Sequence, residues 1–142
     1  MEIPAFWVRH VAISVADLEE TIAWYRDCLG FVLIGREYVP PVEAEVATMA
    51  RDGVELEIFC HPGSSPMTKE RKDPDRDPHT QGVKHFCLGT DHLEELVAGL
   101  REKGVEIVVG PVRMGSNTLY YIHDNSGNPI ELMQRDERRE HR

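Results

Sequence analysis

The sequence is short of basic residues, of long apolar runs and of cysteine, and each shortage narrows the possible functions. Its 142 residues include 16 Lys and Arg against 25 Asp and Glu, which gives a formal net charge of −9 at pH 7. Because no basic stripe is present to neutralise phosphates, we expect neither a nucleic-acid partner nor a membrane partner. No stretch approaches the roughly 18 consecutive apolar residues of a membrane-spanning helix. Residues 1–4 show no cationic leader, so we predict a cytoplasmic protein.

Cysteine is limited to three widely spaced residues, Cys28, Cys60 and Cys87. An odd number without C-x-x-C spacing favours neither a disulfide framework nor a thiolate metal site. We therefore predict free thiols in a reducing compartment.

The sequence does contain an internal repeat. His10 and His85 lie 75 residues apart, and the same step separates two Leu-Glu-Glu triplets. Glu57 and Glu131, each flanked by Leu and Ile, lie 74 residues apart. Two copies are too few for a solenoid, so the repeat predicts two fused modules.

Apolar periodicity and turn residues predict the order strand, helix and three strands in each copy. We predict a single domain over residues 1–142, with a first βαβββ module at 5–60, a connector at 61–82, a second βαβββ module at 83–134 and a charged tail at 135–142. The predicted strands cover residues 7–15, 31–36, 46–49, 54–60, 83–89, 105–109, 119–122 and 129–134. Proline and charge dominate the connector, which is either a plain linker or a flap over a pocket.

The parity of the strands gives the repeated His and Glu a common direction. In each copy they lie on the face opposite to the bulky apolar residues of their strands. If the helices cover the apolar faces, then His10, Glu57, His85 and Glu131 all point to the uncovered side. The predicted fold is therefore α+β, with curved mixed sheets enclosing a metal-binding cavity and helices on the outside.

These four side chains suit one divalent metal ion per site. Two neutral imidazoles and two carboxylates carry a charge of −2, which a divalent cation cancels, and this removes the cost of buried carboxylates. The mixed nitrogen and oxygen ligands fit Ni, Co, Zn, Mn or Fe. Glu55 shares a face with Glu57, but the repeat favours Glu57, since its separation of 47 residues from His10 matches the 46 residues between His85 and Glu131.

Several segments carry a resemblance to a known family, at residues 10–19 (His-Val-Ala-Ile-Ser-Val-Ala-Asp-Leu-Glu), 24–31, 56–59, 84–86 and 124–132. Together they resemble the vicinal oxygen chelate superfamily, which includes glyoxalase I, methylmalonyl-CoA epimerase, extradiol dioxygenases and the fosfomycin and bleomycin resistance proteins. The resemblance implies paired βαβββ modules and a homodimer. Members with all four ligands are typically glyoxalases and epimerases. The epimerases usually have two consecutive His residues where this sequence has Lys84-His85, and this difference weakens the epimerase assignment.

The predicted function is that of a divalent-metal-dependent lyase or isomerase of glyoxalase I or epimerase type. It would abstract a proton next to a metal-chelated carbonyl via an enediolate, with Glu131 as the first choice of base and Glu57 as the second. One alternative is an Fe(II)-dependent ring-cleaving dioxygenase, which a fourth ligand disfavours. Another is a non-catalytic drug- or metabolite-binding resistance-type protein. The candidate residues for binding a small-molecule substrate are Phe59, Arg113, Asn117, Tyr120, Tyr121 and Met133.

Overall fold

The computed structural model describes residues 1–135, in which the two halves of the chain repeat one order of elements. The first half contains β1 (Val11–Ser14), α1 (Leu18–Leu29), β2 (Val32–Val39), β3 (Ala44–Arg51) and β4 (Val54–Cys60). The second half contains α2 (Lys69–Lys72), β5 (Phe86–Gly89), α3 (Leu93–Glu102), β6 (Ile107–Met114), β7 (Asn117–His123) and β8 (Pro129–Arg135). Short 3-10 turns lie at Pro40–Val42 and Asp77–His79. Apart from its first residue, the predicted charged tail lies outside the described residues.

Each half builds its own four-stranded mixed sheet. The strand orders are β1-β4-β3-β2 and β5-β8-β7-β6. In both sheets the first strand runs parallel to the last, and the remaining neighbours are antiparallel. The prediction of an α+β fold with two βαβββ modules in tandem is confirmed. The chain divides into two compact units, one formed by Met1–Ser65 and one that begins at Pro66.

The first module is held together by the apolar side of α1. Asp17 caps the helix, since its side chain accepts a hydrogen bond at 2.9 Å from the backbone N–H of Glu20. Gly30 ends it in the left-handed conformation at φ 69°. The buried side chains of the helix and of β3 and β4 form the core: Leu18, Ile22, Tyr25, Leu29, Ala47, Met49, Leu56 and Ile58. Each large apolar side chain buried in this way contributes about 1.5–3 kcal/mol.

The second module has the same arrangement around α3. The buried residues of the helix and of the helix-facing side of β7 and β8 are Leu93, Val97, Leu100, Tyr120, Ile122, Ile130 and Leu132. The hydroxyl of Tyr120 donates to the carboxylate of Glu94 on α3, at 2.9 and 3.0 Å from its two oxygens. This contact ties β7 to the helix on the core side of the sheet.

The first strand of each module is shorter than predicted. β1 begins at Val11 and β5 at Phe86, whereas Trp7 is 79% exposed and Val83 is 86% exposed. The reason lies in the partner strand. β4 begins only two residues before the partner of Val11, and β8 begins with Pro129, one residue before the partner of Phe86. Residues upstream of Arg9 in the first module and of His85 in the second therefore have no residue of the partner strand opposite them.

The predicted connector contains regular structure where its composition predicts none, because part of it packs against the second module. The side chain of Asp77 is only 4% exposed, and its Oδ1 lies 2.6 Å from Nε of Arg71 and 3.1 Å from Nζ of Lys84. Lys84 directly precedes His85 in the sequence. None of the helices formed by residues 1–135 has both the length and the apolar character that crossing a bilayer requires.

Candidate functional site

The first module brings His10 next to Glu57. His10 lies just before β1, and the parallel register places Ala12 beside Glu57 on β4, so that the two side chains share a face. Nε2 of His10 lies 3.5 Å from Oε2 of Glu57, and the side chains are 41% and 27% exposed. The rival carboxylate, Glu55, is paired instead with the guanidinium of Arg9.

The second module brings His85 next to Glu131 in the equivalent way. His85 lies just before β5, and Cys87 is the register partner of Glu131 on β8. Nε2 of His85 lies 2.7 Å from Oε2 of Glu131, with side chains that are 31% and 9% exposed. This pair is therefore closer and better shielded from water than the pair in the first module.

Each module thus supplies one imidazole and one carboxylate at matching strand positions. Across residues 1–135, no group of three or more His, Cys, Asp or Glu side chains is arranged to hold a metal ion. It stays a prediction that both pairs bind one metal ion, with His10, Glu57, His85 and Glu131 as its ligands.

A third side chain, Tyr121 on β7, joins the pair of the second module. Its hydroxyl donates to Oε2 of Glu131 at 3.1 Å and lies 3.4 Å from Nε2 of His85. The rings of Tyr121 and His85 meet edge to face, with their centroids 5.1 Å apart. The sequence predicted Tyr121 only as a substrate-binding residue. Tyr121 lies opposite Glu131 because a short turn between β7 and β8 fixes their register. In this turn, Oδ1 of Asp124 accepts hydrogen bonds from the backbone N–H groups of residues 126 and 128 at 2.8 and 2.9 Å.

Two ionisable side chains beside Glu131 have raised pKa values. Burial, followed by the charge and the hydrogen bond of Glu131, raises the pKa of Tyr121 to about 12. Partial burial, followed by the charge of Glu131, raises the pKa of the Cys87 thiol to about 11. Both neighbours of the carboxylate therefore stay protonated near neutral pH, and neither supplies a positive charge.

The candidate substrate-binding residues fall on two faces. Four of them share a face with the His and Glu pair of their own module: Phe59 in the first, and Asn117, Tyr121 and Met133 in the second. Arg113 pairs with Thr118, which lies three residues before Tyr121 on β7. Side chains alternate between the two faces along a strand, so Thr118 and Arg113 lie on the other face of the second sheet. Tyr120 also lies on that other face, where it bonds to Glu94 of α3.

Comparison with known proteins places relatives of this chain among lyases and epimerases. It is 29% identical over 128 residues to a lactoylglutathione lyase of Arabidopsis thaliana, covering 89% of this chain but only 43% of the plant protein. It is 27% identical over 135 residues to the mitochondrial methylmalonyl-CoA epimerase of Bos taurus, covering 89% of this chain and 73% of that one.

The fold recurs in a solved structure, and a family model spans most of the chain. The crystal structure of a glyoxalase family protein from Enterococcus faecalis matches with a TM-score of 0.75 at 24% identity, over 89% of this chain and 96% of that one. The model of the glyoxalase/bleomycin resistance protein/dioxygenase superfamily matches residues 7–132. Since that match takes in nearly all of the sequence, the chain belongs to this superfamily.

Proposed function

We propose that this chain is a divalent-metal-dependent lyase or isomerase of glyoxalase I or epimerase type that acts on a small molecule with a carbonyl group. The observation that carries the proposal is the recurrence of an imidazole–carboxylate pair at matching strand positions of both modules. A surface His or Glu has no reason to recur with its partner in this way. The names of the relatives, a lactoylglutathione lyase and a methylmalonyl-CoA epimerase, support the same reaction class.

The donor set fits a divalent cation. Two imidazoles and two carboxylates offer nitrogen and oxygen ligands without a thiolate, which suits Ni, Co, Zn, Mn or Fe. Burial is the main cause of the raised pKa values of Tyr121 and Cys87, and the charge of Glu131, which adds to it, would be neutralised by such an ion. We propose that His10, Glu57, His85 and Glu131 hold one ion per site, within one chain or across a homodimer.

Glu131 is the base in this proposal. When bound, the ion would polarise the carbonyl of the substrate and make the neighbouring C–H group acidic. Glu131 then accepts the proton, since its side chain is 9% exposed against 27% for Glu57, and water is more fully excluded around it. Return of the proton from Glu131 to the adjacent carbon gives isomerisation, and its return to the same carbon gives epimerisation.

The test compares Glu131→Gln with the matched variant Glu57→Gln. The purified proteins would be loaded separately with each of the five metals and assayed for lactoylglutathione formation and for methylmalonyl-CoA epimerisation. We expect Glu131→Gln to lower kcat by about 10²-fold to 10⁴-fold, as loss of a general base does, while elemental analysis still finds much of the metal. Glu57→Gln should lose less turnover. Unimpaired turnover in Glu131→Gln would refute the role of this carboxylate.

The two alternative functions have their own signatures. A ring-cleaving dioxygenase, loaded anaerobically with Fe(II), would consume oxygen when a catechol is added, and such uptake would overturn the proposal. A non-catalytic resistance-type protein would show no affinity for any of the metals. The homodimer and the cytoplasmic location also belong to the proposal, and sedimentation analysis with and without metal checks the former.

A further inference from the structure

The repeat is broken next to the second pair of ligands. In the first sheet, Thr48 of β3 is the register partner of Glu57. At the equivalent place in the second sheet, Tyr121 of β7 is the register partner of Glu131. A threonine therefore faces one candidate metal-binding carboxylate, and a tyrosine faces the other.

The tyrosine converts a pair of side chains into a cluster of three. Oε2 of Glu131 accepts the hydroxyl of Tyr121 at 3.1 Å and also lies 2.7 Å from Nε2 of His85. The phenol ring also meets the His85 ring edge to face, so Tyr121 contacts both members of the pair. In the first module, by contrast, His10 and Glu57 are 3.5 Å apart and more exposed.

We propose that Tyr121 is a positioning residue, which fixes Glu131 and His85 in one arrangement before any ligand arrives and makes the second module the preorganised half of the site. The inference rests on the proposed metal-dependent function for its effect on metal affinity. The cluster of three side chains, however, is a property of the metal-free chain. A hydrogen bond from a group that does not itself bind the metal orients a ligating carboxylate. The loss of such a partner costs about 10-fold to 100-fold in metal affinity or activity.

The decisive experiment is a calorimetric titration with Co(II) of the wild type, Tyr121→Phe and Tyr120→Phe. Both variants remove one hydroxyl that is bonded to a carboxylate, on adjacent residues of one strand, but the hydroxyl of Tyr120 faces α3. We expect Tyr121→Phe to bind Co(II) about 10-fold to 100-fold more weakly, whereas Tyr120→Phe binds like the wild type. Equal affinity in all three proteins overturns the inference, as does an equal loss in both variants.

A second measurement separates failure of this inference from failure of the proposed function. In the metal-free protein, the imidazole ¹⁵N shifts of His85 should move in Tyr121→Phe and stay unchanged in Tyr120→Phe. If the wild type binds no Co(II), the proposed function fails, and the ¹⁵N shifts alone decide the role of Tyr121. Tyr121→Leu removes the ring as well as the hydroxyl. If Tyr121→Leu is impaired while Tyr121→Phe behaves like the wild type, ring packing holds the pair and positioning by the hydroxyl is refuted.

Discussion

The buried carboxylate of Asp77 anchors the connector to the second module, and Asp77→Asn is expected to cost about 2–3 kcal/mol of unfolding free energy. The substitution preserves volume but leaves the guanidinium of Arg71 and the ammonium of Lys84 without their anion. Removing one partner from a buried pair costs about 3–5 kcal/mol. The cost is lower here because the two cations are 31% and 22% exposed. Both also keep carbonyl acceptors, since Arg71 donates to the carbonyl oxygen of Val83 at 2.7 Å and Lys84 to that of residue 77 at 2.9 Å.

Urea unfolding measures this loss if the probe reports on the right half of the chain. Both tryptophans, Trp7 and Trp24, lie in the unit Met1–Ser65, so their fluorescence does not follow the unit that contains Asp77. Far-UV circular dichroism and hydrogen exchange resolved to individual strands are therefore needed. With a slope of about 2 kcal/mol per molar urea, the midpoint of the second unit should fall by about 1–1.5 M.

The matched control is Asp27→Asn, which also removes a carboxylate from an arginine. Asp27 lies 2.8 Å from Arg26, but these side chains are 62% and 61% exposed. This variant should leave both units nearly unaffected, because exposed ion pairs contribute little. If Asp77→Asn changes the midpoint no more than Asp27→Asn does, the contact is only a surface pair and the connector is not anchored by charge. A loss of protection in β4 as large as that in β5 would also refute a local anchor.

Three further predictions concern the helices and their contacts. Asp17→Ala removes the cap of α1 and should cost about 1 kcal/mol in urea unfolding followed by tryptophan fluorescence, whereas Asp17→Ser should restore most of it. Gly30→Ala should cost about 1–2 kcal/mol in the same assay, because the residue is left-handed and a Cβ would displace the guanidinium of Arg51; Gly30→Asn should cost less. Burial and the hydrogen bond to Glu94 raise the folded-state pKa of Tyr120 above 10.0, so the stability that its phenol contributes is full below pH 10.0 and is lost above it. The stability difference between the wild type and Tyr120→Phe should therefore shrink as the pH rises beyond 10.0, and a constant difference would contradict the bond.

Local signals were enough to predict the elements whose ends are encoded in their own residues. β4 runs over Val54–Cys60 as predicted, because the Asp52-Gly53 turn, with φ 47° and 80°, fixes its start. α1 likewise begins directly after its capping residue Asp17 and ends at Gly30, two residue types that are typical of helix ends. β1 and β5 begin later than their alternation of side chains suggests. A strand extends only as far as its neighbour offers backbone groups, and the length of that neighbour is not written in the strand itself.

The same distinction explains how far the candidate site could be predicted. A repeat shows which residues two modules have in common, so it selected His10, Glu57, His85 and Glu131 and predicted that the His and the Glu of each module share a face. By construction it cannot identify residues that differ between the copies, and Tyr121 is such a residue, since Thr48 occupies its place in the first sheet. Its contact with Glu131 depends on the antiparallel register of β7 and β8. That register follows only when the length and the hydrogen bonds of the turn between the two strands are known. If the two halves of a duplicated protein have separated their roles, the residues that break the repeat next to the repeated pairs are the ones that must carry the difference. For this chain that argument selects one tyrosine hydroxyl, and it makes the second carboxylate, not the first, the base to be tested.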